Sequence, residues 1–354
     1  MQKILSVFMS VTLLACGGSA DGSAADAGST PRDGALANFE ATHTFPSYAL
    51  PSGDDNFGTC QSWSLGNEET IFVNSVHMTN EGAWHHSNWV YVPETSYPGP
   101  DGTWDCDSRS FSEVAGAVTA GGGVFFAQST QATDETQQFQ PGVVLAIPPH
   151  SKIIGSVHLI NTTLGLVNTS LAFSLGLVEE SAVTVRLSPL SYSYMDGLVV
   201  PARVESTSSM SCDLAASFRN VTHRDPDFHI YYILPHYHQL GTGMTVTVVG
   251  GPHDGEIVFE NTAAIGDPLG QMFDVPFDMT GATGLRMSCH YDNPNSNDFH
   301  YANSVNGEMY LMLAYTDAPV TFGALSANPR MNGVNGGVTE YESDCGVLGL
   351  PAQH

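Results

Sequence analysis

This sequence predicts an all-β fold, and three observations point to it. Short runs rich in Val, Ile, Tyr and Thr recur along the chain, at 70–76, 88–92, 142–147, 152–160, 182–187, 244–249 and 309–314. Clusters of Gly, Pro, Asn and Asp bound these runs at roughly regular intervals, the pattern of sandwiches or barrels. Long capped segments with a 3.6-residue apolar period are missing. At 354 residues the chain suits two ordinary domains or one large one.

The N-terminus reads as a processing signal. Lys3 supplies a short positive region, an apolar stretch runs from Ile4 to Leu14, and Leu13-Leu14-Ala15-Cys16 resembles a bacterial lipobox. By that reading residues 1–16 are the lipoprotein signal and Cys16 carries lipid; plain secretion is the alternative. The apolar stretch is too short for a comfortable membrane span. Residues 17–38 are mostly Gly, Ser, Ala and Asp, a tether with almost nothing to bury. The rest of the chain is then expected outside the cytoplasm, reaching the membrane only through the anchor.

Thirty-six acidic residues against ten basic ones give a net charge of −26, which argues against nucleic acid and anionic lipid surfaces as partners. Beyond Cys16 the cysteines are Cys60, Cys106, Cys212, Cys289 and Cys345. In an oxidising compartment they predict two disulfides and one odd thiol, and with no C-x-x-C pair they do not read as a zinc ribbon. A boundary is expected near 180–190, where Val178-Glu179-Glu180-Ser181 interrupts two apolar runs. That leaves 39–184 and 185–354, each adequate for a β-sandwich.

Six potential metal ligands stand out: His85, His86, His158, His236, His238 and Met309. On a strand, residues i and i+2 share a face, so His236 and His238 can reach one ion. Pro235 implies an edge or an irregularity there, which suits an open site. The adjacent His85 and His86 would point to opposite faces of a regular strand, so joint ligation requires a bulge or a strand end. A lone His158 in an apolar run reads more often as a satisfied core histidine than as a ligand, and Met309 far more often as core. Imidazoles suit copper, zinc or nickel, whereas a thioether favours Cu(I).

Taken in order, these residues resemble a known family. Cys60-Gln-Ser-Trp-Ser-Leu, Val73-Asn-Ser-Val-His-Met and Ala83-Trp-His-His-Ser-Asn-Trp-Val are similar to the first copper-binding segment of the copper type II, ascorbate-dependent monooxygenases. Those are the peptidylglycine α-hydroxylating and dopamine β-monooxygenase relatives. His77 falls where some members carry a histidine. Gly155-Ser-Val-His158, Pro235-His-Tyr-His238-Gln-Leu-Gly and Gly307-Glu-Met309-Tyr resemble later family motifs, as does Met287-Ser-Cys-His-Tyr-Asp-Asn-Pro294. The match covers most of 55–320.

The resemblance implies two tandem antiparallel β-sandwiches, jelly-roll-like, with two copper ions facing each other across a solvent-filled cleft. His85, His86 and His158 would hold the electron-transfer copper; His236, His238 and Met309 would hold the oxygen-activating one, with ascorbate or another reductant as co-substrate. It also implies a bridge between Cys60 and Cys106. The family's cysteine after Glu-Met is Tyr310 here, which leaves Cys289 without that partner and makes Cys212–Cys345 the expected second bridge. Ser87 replaces a methionine that often follows the His pair. Leu234, Leu311 and Leu313 stand where peptide-hydroxylating members carry basic or polar groups, so an anionic peptide substrate would lack a counter-charge. The expectation is hydroxylation of a C–H bond in a small apolar substrate. The rivals are a copper-binding surface lipoprotein without catalysis and a zinc hydrolase using three histidines.

Overall fold

The structure, a computed structural model, describes residues 39–111, 117, 120–195, 197–302 and 307–352. The lipobox with Cys16 and the tether at 17–38 lie outside the described residues.

The first half is built from β1 (Phe39–Thr44), β2 (Tyr48–Leu50), β3 (Asp55–Ser64), β4 (Ile71–Asn80), β5 (Trp84–Pro93), β6 (Gly102–Asp105), β7 (Gly123–Ala127), β8 (Asp134–Gln138), β9 (Val143–Ile147), β10 (Ser151–Ile160), β11 (Val167–Thr169), β12 (Leu171–Val178) and β13 (Val185–Arg186). Eleven of them form two facing sheets, while β2 and β11 pair with each other. One runs β1-β12-β4-β9-β13, with β8 also on β4, and the other runs β6-β3-β10-β5-β7. Between them pack Phe45, Trp89, Phe125, Phe126 and Phe173, an edge-to-face aromatic cluster.

The second half holds β14 (Ser188–Ser193), β15 (Val199–Val200), β16 (Val204–Asp213), the helix α1 (Leu214–Thr222), β17 (His229–Tyr237), β18 (Gly241–Val249), β19 (Ile257–Asn261), β20 (Gln271–Asp278), β21 (Gly284–Asn293), β22 (Phe299–His300), β23 (Tyr310–Thr316), β24 (Val320–Asn335) and β25 (Val338–Pro351). Ten of these strands make one sheet in the order β19-β18-β21-β16-β25-β24-β14-β23-β17-β20, nearly closed on itself. Asp213 caps α1 by accepting from the Ala216 amide.

The β24–β25 hairpin is inserted into the middle of that sheet. Its outer edges therefore meet β14 and β16 in parallel, a departure from the purely antiparallel sandwich that the sequence led one to expect. Its two-residue turn, Gly336-Gly337, has φ of 59° and 95°. Such a turn needs positive φ at both positions, which glycine adopts without a Cβ penalty.

The chain changes sheet at Leu187, between β13 and β14. One continuous core nevertheless runs through both halves, and the described residues form a single compact unit. Disulfides join Cys60 to Cys106 and Cys212 to Cys345, with Cys289 free and buried. Two structural disulfides mark a chain that folds outside the reducing cytoplasm. Among the described residues no helix is long and apolar enough to cross a membrane.

Candidate metal centre

Two bulges solve the problem of the adjacent histidines. Along the β5–β10 pairing, His86 faces His158 and Trp84 faces Leu159, so His85 is an extra residue in β5. Along β3–β10, Thr59 faces Val157 and Asn56 faces Leu159, which sets Phe57-Gly58 against His158 alone. Gly58 takes φ of 100°, the backbone that a bulge of this kind asks of glycine. The strand alternation that would separate His85 from His86 is broken at the level of His158, and all three side chains converge.

The second set comes from β17. Leu234 and His236 alternate along it, His238 follows one residue past its end, and β23 supplies Leu313 opposite Leu234 and Leu311 opposite His236. Carrying that register one residue past the Tyr237–Tyr310 pair puts Met309 across from His238. Pro235 costs no ladder bond towards β20, because that pairing ends at Ile233. The proline thus marks a free edge, as its residue type suggests. The site beside it is closed rather than open.

The largest correction concerns the cleft. Instead of two sites facing each other across solvent, the structure packs the five imidazoles against one another. Their exposures are 5% for His85, 7% for His86, 2% for His158, 8% for His236 and 1% for His238. Between the two sets, His85 and His238 rings lie 4.7 Å apart and His86 and His236 rings 4.8 Å apart. A short strap, Gln128 to Gln131, buried up to Thr130, holds the halves together at this point. The Gln131 amide donates to the His85 carbonyl and the Thr130 hydroxyl to the Tyr237 carbonyl. From the second half, the Leu269 amide donates to the Ser129 hydroxyl and the Gly266 amide to the Thr130 carbonyl.

Three of the rings are anchored from outside the cluster. His158 Nε2 lies 2.6 Å from Asp55 Oδ1, which turns its Nδ1 inward, 3.3 Å from His86 Nε2. His238 Nδ1 lies 3.0 Å from the Gly307 carbonyl, leaving Nε2 inward. His236 Nδ1 is 3.4 Å from the Thr130 hydroxyl. Buried nitrogens without a partner remain at His85 (both), His86 Nδ1, His236 Nε2 and His238 Nε2. Unpartnered buried nitrogens are costly unless something binds them. In each of two groups, His85–His86–His158 and His86–His236–His238, the potential ligand atoms all lie within 4.8 Å of one another.

Burial sets the charge state. Desolvation, reinforced by the neighbouring imidazoles, lowers His85 to about 3 and holds His86 and His236 well below their ordinary value. His238 falls to about 4, chiefly by desolvation, with the Gly307 hydrogen bond opposing. Near neutral pH the cluster is therefore a set of neutral imidazoles, the form that ligates metal. Beside it, Glu308 accepts from the His238 and Leu240 amides, and desolvation raises its carboxyl to about 7. Glu135, which accepts the Ser129 amide and hydroxyl, is likewise raised to about 7 by burial.

Histidines outside the cluster, and Ser87, have other surroundings. His77 pairs with Asp134 at 3.0 Å on an exposed face. His290 sits between the Thr207 and Thr245 hydroxyls, and His300 lines a small surface cleft with Met195 and Leu198. Ser87 bridges Trp89 Nε1 to Gln128. The residues that orient the cluster, Asp55, Thr130 and Glu308, carried no spacing signal towards the histidines. Only Glu308 lies within a recognisable stretch, Gly307-Glu-Met309-Tyr.

The chain matches no family model and no curated protein. Among solved structures it is similar to VP54 of the virus PBCV-1 (7% identity, TM-score 0.26, 79% of this chain and 94% of that one). The cowpea mosaic virus top component follows at 9% identity and TM-score 0.32, covering 80% and 91%. The VP2 subviral particle of infectious bursal disease virus stands at 12% and 0.21, covering 81% and 75%. Superpositions this loose carry no argument about the chain; its all-β fold rests on its own strands.

Proposed function

We propose that this chain is a copper-dependent monooxygenase that hydroxylates a C–H bond of a small apolar substrate, using dioxygen and an external reductant such as ascorbate. One observation carries the metal part: five buried imidazoles from both halves converge, and four of them, His85, His86, His236 and His238, hold a buried nitrogen without a partner, while Met309 follows one residue past the last β17–β23 pair. This donor set fits copper. Imidazole suits both of its oxidation states, and the soft sulfur favours Cu(I). When bound, copper supplies one-electron redox chemistry and dioxygen activation.

The protein's own part follows from the geometry. Asp55 fixes the tautomer of His158, and the Gly307 carbonyl fixes that of His238, so each presents one chosen nitrogen. Glu308 clamps the turn after His238 to the segment carrying Met309. Leu234, Leu311 and Leu313 share the face of His236 and give it an apolar flank with no counter-charge for an anion. Burial of the rings excludes stray water.

The near-complete enclosure of the rings also favours a second reading, copper binding at the cell surface without catalysis. Met309→Ile separates the two. For a monooxygenase it abolishes reductant-dependent product formation while copper stays on the imidazoles. Product formation that survives the substitution, or none in the native chain, favours the binding protein. Lipid attachment at Cys16 belongs to both readings, and mass analysis of the mature N-terminus tests it.

A further inference from the structure

We infer that the two ligand sets form one metal centre that spans both halves of the molecule, with His86 as the residue common to both, instead of two independently loading sites. This rests on the metal-binding part of the proposed function and not on its chemistry.

The geometry offers no boundary at which to divide the five rings. Within the sets, ring separations are 5.4 Å for His85–His86, 4.8 Å for His85–His158, 5.1 Å for His86–His158 and 5.5 Å for His236–His238. Between the sets they are 4.7 Å for His85–His238, 4.8 Å for His86–His236 and 5.8 Å for His86–His238, a range that overlaps the first. His86 belongs to both groups whose ligand atoms converge.

External anchoring points the same way. His158, His236 and His238 each have one nitrogen facing a group outside the cluster, and so each keeps one for metal. Neither His85 nor His86 has such an anchor, and of the two only His86 belongs to both converging groups. Its Nε2 faces His158, and its Nδ1 is buried without a partner. It is the ring through which an ion bound by His85 and His158 and an ion bound by His236 and His238 must compete or cooperate.

A metal held this way joins β5 and β10 of the first half to β17 of the second. Removing a ligand from either half is then felt by the whole centre. Independent sites would instead lose one ion at a time.

The test loads the purified full chain with Cu(II), removes excess metal, and compares bound copper with the electron paramagnetic resonance spin count. A shared centre predicts spins well below the copper content, or a half-field transition from neighbouring ions. A centre that takes only one ion predicts its complete loss in both His158→Ala and His238→Ala. In either case His86→Ala loses more copper than His85→Ala. Far-ultraviolet circular dichroism checks that each variant folds, and the native spin count requires no variant. Full spin count with isolated signals, and His86→Ala losing no more copper than His85→Ala, would overturn the inference while leaving the proposed function standing. A native chain that retains no copper would overturn both.

Discussion

At the scale of single residues, the side chains that orient the cluster matter as much as those that would ligate. Asp55 holds His158 at 2.6 Å, and loss of such a carboxylate partner weakens metal retention by about 10–100-fold in comparable sites. Asp55→Asn is accordingly expected to lower copper affinity in a chelator competition, with Asp55→Glu restoring part of it; unchanged affinity would show that Asp55 does not position the ring. A second expectation follows from burial. An unfolded histidine titrates near 6.5, whereas desolvation depresses His238 to about 4 and His85 to about 3. Their folded values are depressed, so stability is intact above pH 6.5 and is lost as pH falls from there towards about 4 and then 3. Glu135 and Glu308 act in the opposite sense. Raised by burial from 4.5 to about 7, they contribute fully below 4.5 and lose that contribution as pH rises through about 7. Below pH 4.5, where those two carboxyls no longer contribute a change, urea unfolding of metal-free protein should still lose stability; a flat profile from there towards pH 3 would contradict a neutral buried cluster. The histidines themselves were legible in the sequence through their order along the chain. Asp55 was not, since it lies 103 residues from His158 and only the β3–β10 pairing brings it near.

Among the elements, bulges and glycines decide where side chains point. Joint use of His85 and His86 demanded a bulge, and one lies there, opposite His158. Its companion in β3 at Phe57-Gly58 had no spacing signal, because nothing local says which strand will pair alongside. Gly155 in β10 shows what the family-like motif does physically. A Cβ there would meet the Trp89 ring at 2.4 Å, so the glycine lets β10 pass beneath a fully buried indole. Gly155→Ala should destabilise the chain by about 1–3 kcal/mol through overpacking, read from denaturant unfolding. A neutral result would mean that Trp89 shifts freely. The β24–β25 hairpin is only weakly legible in the sequence, although Asn335-Gly336-Gly337 between apolar positions is a hairpin signal. Its small and polar residues obscure the alternation on either side.

For the whole molecule, the sequence divides the chain into two sandwiches, while the structure adds how closely they meet. The separation implied by the resemblance, ions across a cleft, gives way to five rings in contact. The strap at Gln128 to Gln131 holds that contact through bonds to His85, Tyr237, Gly266 and Leu269. Such closure depends on packing between residues more than a hundred positions apart, which spacing does not encode. Thr130→Val removes the hydroxyl and leaves the Tyr237 carbonyl without that donor, a loss of about 1–3 kcal/mol. Because the proposed ligands come from both halves, bound copper should raise the unfolding temperature of the molecule as one transition, and a chelator should reverse it. Two transitions with only one moved by copper would contradict ligation from both halves. The most direct measurement is X-ray absorption at the copper edge of the loaded chain. Imidazole-dominated scattering with a sulfur contribution that disappears in Met309→Ile is the expected result. Oxygen-only coordination, or no copper retained, would contradict the metal centre on which the proposed function rests.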